Sequence, residues 1–259
     1  MRGKLSAVLW RRQRNPEITP EAIDATVRHN VRLAMHLNPA ERDRLHELTA
    51  ELLASKSWEG ANGLTLTDDM RVTVAANAAI PILAHDTWPY RQVKAIIIRP
   101  TTTHSSARRA GPAAGTYTDD TIGLVGEASP NHGPLALSWD TVVYESRHPH
   151  RGGNVVIHEF AHKIDMNDGY ADGVPPLRGV ALDEWRNVLA DEYEHREPRE
   201  SDTVLRPYAW ASAAEFFAVS SEVFFCQPVE LLEAKPVLYG ALRELYGQDP
   251  AARVPRTEA

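Results

Sequence analysis

The sequence predicts an α+β fold: helices in the N-terminal third, a small sheet in the middle, and further helices around a histidine-bearing one. Three observations carry this expectation. Two helix starts are spelled out as cap, proline and glutamate at Thr19-Pro20-Glu21 and Asn38-Pro39-Ala40-Glu41, a pattern that satisfies the free amides of a first turn. Val93-Lys94-Ala95-Ile96-Ile97-Ile98-Arg99, closed by Pro100, is an apolar, largely β-branched strand. His158-Glu159-Phe160-Ala161-His162 lies in a run whose apolar residues recur at helical spacing.

Taken in order, residues 1–15 are basic and without a period, and are expected to form a loosely held arm. A helix begins at Thr19, and a second at Asn38 shows one apolar face through Leu45, Leu48, Leu52 and Leu53. A third runs from about Asp68 to Leu83, with Met70, Val74, Ala78 and Leu83 facing inward. After the strand at 93–99, residues 101–116 are rich in Thr, Ser, Ala, Gly and Arg and read as a flexible loop. Short strands are expected around 123–127 and 135–139, joined by a turn over 129–134. The second of them is either a core strand or an edge that pairs with an extended peptide. The helix with the two histidines follows, then a loop over 167–176, then helices over 182–194 and 213–225, and a last helix through Tyr246 that Pro236 either starts or interrupts. No internal repeat or low-complexity linker divides the chain. Residues 1–37 read as an arm plus first helix, and 38–259 as a single domain.

The chain has 259 residues, 43% hydrophobic and 24% charged, ordinary values for a globular protein. A net charge of −7 argues against binding nucleic acid directly, which needs a basic face. No apolar stretch approaches the roughly 20 residues of a membrane span. The apolar run Leu5–Trp10 is short for a signal-peptide core, and Arg11, Arg12 and Arg14 follow at once. Cys226 is the one cysteine, which excludes an intrachain disulfide and a thiolate-rich structural metal site. A cytoplasmic protein is expected, and any metal it holds must be bound by histidine and carboxylate.

Histidines four residues apart lie one above the other on a helix, so His158 and His162 can reach one ion. Glu159 is then placed to act on a metal-activated water, the arrangement of a zinc peptidase. A third ligand is required. The pattern in which a third histidine follows closely is absent, since position 168 is Asp. The apolar helix Ala213–Phe225 carries Glu215 and Glu222, seven residues apart on one face, and a carboxylate there is costly unless something pairs with it. Spacing leaves open which of the two is the ligand and which holds a ligand imidazole in its tautomer. Asp165 and Asp172 are candidates only for orienting a ligand, and His104, His132, His148 and His150 read as solvated rather than metal-binding.

The segments His158–Asp165, Tyr208 and Glu215–Glu222 resemble those of the Mlc titration factor A family, as do Leu64–Val72, Leu137–Asp140 and Asn154–Ile157. The resemblance runs from about Asn38 to Tyr246. It implies a zincin-like metallopeptidase: a small mixed sheet, an HExxH active-site helix and surrounding helices, with a catalytic core similar to that of anthrax lethal factor. It further implies one Zn2+ held by His158, His162 and Glu215, with Glu159 and Tyr208 as catalytic residues acting on a peptide or protein substrate. It implies, too, a regulatory role in which the protein binds a transcriptional repressor related to Mlc. Sequestering that repressor without catalysis is the rival function. The intact set Glu159, Tyr208 and Glu215 favours the enzyme.

Overall fold

The computed structural model describes residues 18–85, 88–101, 103–105, 109–110, 117–118, 122–124, 126–128, 134–176, 180–194 and 203–255. Helix α1 (Pro20–Asn30) starts where Thr19 Oγ1 accepts from Ala22 N–H, and α2 (Pro39–Ser55) starts on a full capping box between Asn38 and Glu41. The apolar face of α2 buries Leu45, Leu48, Leu52 and Leu53. Strand β1 (Ser57–Gly60) follows, then α3 (Asp68–Ala79), capped by Thr67. Helix α3 is buried from Arg71 through Ala79, as a central helix must be. Pro81 lacks the N–H that would continue it, and the chain tightens into a 3-10 turn over Ile80–Ile82 before the buried Leu83.

Strand β2 (Ala95–Arg99) buries Ile96 and Ile98 on one face. Short strands β3 (Thr103–Ser105), β4 (Arg109–Ala110), β5 (Tyr117–Thr118), β6 (Ile122–Leu124) and β7 (Gly126–Ala128) come next, then β8 (Leu135–Ser138). The main sheet has the order β1-β2-β8-β7, with β1, β2 and β8 parallel and β7 antiparallel at the edge. Strands β3 with β6, and β4 with β5, form separate antiparallel pairs. Several expectations change. The loop over 101–116 contains strand at β3 and β4, and the strand expected around 123–127 is two strands that pair with different partners. The expected arm over 1–15 and residues 129–133 of the expected turn lie outside the described residues. Strand β8 has neighbours on both sides and is wholly buried, so it is a core strand and not a peptide-pairing edge.

The strand also ends sooner than expected. Trp139 begins a helix, α4 (Trp139–Arg147). Helix α5 (Val155–Asp165) carries His158 and His162, and every one of its residues is buried. Then come α6 (Val180–Val188), a wider π-type turn over Leu189–Glu194, a 3-10 turn over Pro207–Trp210, and α7 (Ala213–Cys226). Helices α8 (Pro228–Ala234), α9 (Pro236–Tyr246) and α10 (Pro250–Arg253) close the chain.

Helices α1 and α2 pack on α3, and α3 packs on α4 and α5. Between them runs a polar spine: Asn30 Nδ2 donates to Thr73 Oγ1, Asn77 Nδ2 to Ser146 Oγ, and Asn154 Nδ2 to Asn77 Oδ1, each at 2.8–2.9 Å. Such satisfied buried amides set the register between helices, because a slip would orphan all of them. On the other side α5 packs against α7, whose far face joins Phe224 and Phe225 to Tyr239 and Tyr246 of α9. No helix among the described residues is long and apolar enough to cross a membrane.

Candidate metal centre

The N-terminus of α5 is held by three side chains. Asn154 Oδ1 accepts from Ile157 N–H at 3.2 Å, an N-cap. The N–H of Asn154 donates to Glu222 Oε2 at 2.8 Å, and that of Val155 to Glu145 Oε2 at 2.6 Å. Two carboxylates, one from α4 and one from α7, thus take amides that the helix itself cannot satisfy and sit at the positive end of its dipole. Gly153 makes room for them: a Cβ there would come within 3.2 Å of Glu145 Oε1.

From that start, His158 and His162 project from one face of α5, ring centroids 4.8 Å apart and nearly perpendicular. Their Nε2 atoms are 3.2 Å from each other. Glu215 of α7 brings Oε2 to 3.1 Å from His158 Nε2 and 3.5 Å from His162 Nε2. Three donor atoms each about 2.0–2.1 Å from a tetrahedral zinc ion stand about 3.3 Å from one another, so this triangle has the size a metal needs. Glu215 Oε2 is buried and makes no hydrogen bond among the described residues. A buried carboxylate oxygen in that state is costly, and a cation at the triangle satisfies it. These three residues fit a divalent metal, and they are the His/Cys/Asp/Glu cluster found among the described residues that could hold one.

The electrostatics favour positive charge at this point. Burial opposes ionisation of His158, yet Glu222 and Glu215 outweigh it and carry its pKa to about 10. Burial likewise opposes charge on Glu215, but the two imidazoles hold its carboxyl well below the usual range. Glu159, buried next to His158, has its pKa raised by that burial, with the histidines opposing and Glu215 and Glu222 adding to it. A carboxylate made more basic in this way is a better proton acceptor.

Glu222 occupies the opposite side of the His158 ring. Its Oε1 lies 2.7 Å from Nδ1 and accepts from Arg206 Nη2 at 2.5 Å. In the neutral imidazole, the form that binds a metal, a proton held on Nδ1 by this carboxylate leaves the Nε2 lone pair aimed at the triangle. Of the two glutamates on α7, Glu215 therefore meets the histidines at Nε2 and Glu222 braces one of them from behind. Tyr208, half-exposed at the rim, donates its hydroxyl to Glu215 Oε1 at 3.1 Å, and its ring centroid lies 6.2 Å from that of His158. Burial, then Glu215, pushes the phenol pKa up, so the hydroxyl keeps its proton.

The start of α7, which sets Glu215, is fixed by the loop after α5. Asp165 Oδ2 accepts from Gly173 N–H at 3.0 Å, and Gly173 O accepts from Trp185 Nε1 at 2.7 Å. Gly173 has φ +75°, and a Cβ on it would lie 2.3 Å from Ala213 O, so only glycine lets the loop press against α7 here. Asp165 therefore braces this loop, whereas Asp172 closes a local turn to Val174 N–H. His148 and His150 stay outside the triangle, His148 stacked on Tyr144 at 4.6 Å with His150 edge-on to it at 5.9 Å. The side chain of His104, and His132, lie outside the described residues. Sequence reasoning missed Glu145 and Arg206, which carry no local signal, and the capping role of Asn154, which the apolar run after it could have revealed.

Residues 7–247 match the family described as glucose-regulated metallo-peptidase M90. Mlc titration factor A of Yersinia pestis is 34% identical over 246 residues, spanning 88% of this chain and 86% of that protein, and the Yersinia pseudotuberculosis protein of the same name matches equally. An uncharacterized protein of Synechocystis sp. is 32% identical over 218 residues, spanning 83% of this chain and 79% of its own. The family match runs through both helices of the triangle and across nearly the whole sequence, and the chain belongs to the glucose-regulated metallo-peptidase M90 family.

Proposed function

We propose that the protein is a zinc-dependent metallopeptidase with a zincin-like core, in which His158, His162 and Glu215 hold one Zn2+. The observation that carries this reading is the triangle of donor atoms 3.1–3.5 Å apart, closed by a buried carboxylate oxygen without a hydrogen bond. When bound, the metal supplies Lewis acidity, lowering the pKa of a water toward neutrality and polarising the scissile carbonyl. Glu159 takes the proton of the attacking water and passes it to the leaving amine. The Tyr208 hydroxyl donates to the carbonyl oxygen as negative charge develops on it. Glu222 keeps the His158 tautomer fixed through the cycle. The peptidase unit spans 38–259, with α1 and the chain before it as an N-terminal addition, and its substrate is a peptide or protein. Cys226, a buried free thiol, supports a reducing, cytoplasmic setting.

The name borne by the Yersinia relatives favours a second reading, in which the chain regulates transcription by binding a repressor related to Mlc. One variant separates the two. Glu159→Gln keeps the size and hydrogen bonding of the side chain and removes the base. The expected result is zinc content equal to the native protein and hydrolysis of a fluorogenic peptide library slowed by about a hundredfold or more. Equal rates would rule out the mechanism. Repressor binding that survives in a hydrolysis-dead variant would make sequestration a separate activity of the same chain.

A further inference from the structure

Arg206 stands two residues before Tyr208, immediately ahead of the 3-10 turn Pro207–Trp210. Its side chain is 41% exposed, yet its tip reaches Glu222, whose side chain is 2% exposed. Nη2 donates to Glu222 Oε1 at 2.5 Å, and that same oxygen lies 2.7 Å from His158 Nδ1. A charge-assisted bond of this kind is among the stronger polar contacts a protein makes. The segment around Tyr208 is thus tied to α7 twice, by Arg206 to Glu222 and by the Tyr208 hydroxyl to Glu215 Oε1. Without Arg206, Glu222 keeps two partners, Asn154 N–H at 2.8 Å and His158 Nδ1. The loss therefore falls on the Tyr208 segment, whose catalytic end is half in solvent.

We infer that Arg206 is a positioning residue for Tyr208, pinning its segment to the carboxylate that also orients His158. The hydroxyl is then held in register with the donor triangle before substrate arrives. This rests on the peptidase reading for its kinetic consequence, but the anchoring itself is open to measurement without turnover.

The experiment compares full-length native protein, Arg206→Ala, Arg206→Lys, Tyr208→Phe and the Arg206→Ala/Tyr208→Phe double variant, each loaded with zinc. On a fluorogenic peptide, Arg206→Ala should lower kcat about tenfold with KM changed less than about twofold, and Arg206→Lys should recover most of the loss. In the Tyr208→Phe background, removing Arg206 should have no further effect beyond about twofold. The zinc dissociation constant, read by chelator competition, should stay within about threefold of native. Amide hydrogen exchange over 203–210 should rise about tenfold in Arg206→Ala while exchange over 155–165 stays unchanged. Independent losses in the two backgrounds, or zinc affinity falling in step with kcat, would overturn the proposal. If the native protein cleaves no peptide, the peptidase reading fails instead, and exchange alone decides: faster over 203–210 supports the anchor, unchanged overturns it.

Discussion

At the first turn of α5 two carboxylates meet, Glu222 fully buried and Glu145 partly so, and they are not equivalent. Glu222 is held below its usual pKa because His158 and Arg206 outweigh the burial that opposes its charge. In Glu145, burial and the neighbouring Glu222 raise the pKa from 4.5 to about 7. Folding therefore favours the protonated form of Glu145. That stabilisation is fully present below pH 4.5, where the unfolded carboxyl titrates, and is lost as pH rises through 7. Glu145→Gln keeps a carbonyl for Val155 N–H and cannot ionise. Its stability relative to the native chain should rise across that window and level off above it, by about 1–3 kcal/mol at pH 8. Urea denaturation at pH 5 and pH 8 measures this, and a gain independent of pH would contradict the account. The same corner shows why spacing could not choose between Glu215 and Glu222. Two turns of helix put both on one face. What separates them is which nitrogen of His158 each one meets, and that depends on how α7 crosses α5.

That crossing is an affair of elements. Gly173 joins the end of α5 to α6 through Asp165 and Trp185, and lies against the backbone of Ala213 where α7 begins. Gly173→Ala must displace that start and strain a positive φ, so it should destabilise the fold by about 2–4 kcal/mol. It should also weaken zinc binding about tenfold or more, because Glu215 lies two residues further on. Thermal unfolding and zinc competition on the variant test both effects; native zinc affinity would show that Gly173 does not set Glu215. Helix starts with a side-chain cap followed by proline, as at Thr19 and Asn38, were legible because the first turn needs those residues. Strand β1 was not, since Ser57-Trp58-Glu59-Gly60 is short, mostly polar and borders the sheet. The switch from β8 to α4 was hidden for another reason. Ser138-Trp139-Asp140 continues the apolar run, and Ser138 makes no side-chain cap to mark the new helix. At α8 the proline signal was present in Pro228, but Gln227 offered no cap.

For the whole molecule, the layout of helices, a small mixed sheet and helices was readable from punctuation and apolar period. The parallel order β1-β2-β8 was not, because it depends on pairings across more than 30 residues. Nor was the role of the polar spine from Asn30 to Asn154, which ties the N-terminal helices to the start of α5. That spine, with Gly173 and the aromatic packing of α7 on α9, holds α5 and α7 so that residues 53 positions apart, 162 and 215, share one triangle. With Cys226 the one cysteine, and buried, the metal chemistry of this chain rests on histidine and carboxylate. If His158, His162 and Glu215 form a zinc site, zinc content per folded chain reads it out. Elemental analysis after dialysis against a weak chelator should find about one zinc in the native protein and almost none in Glu215→Ala of unchanged circular dichroism. A native protein that retains no zinc, or a Glu215→Ala variant that retains a full equivalent, would contradict it.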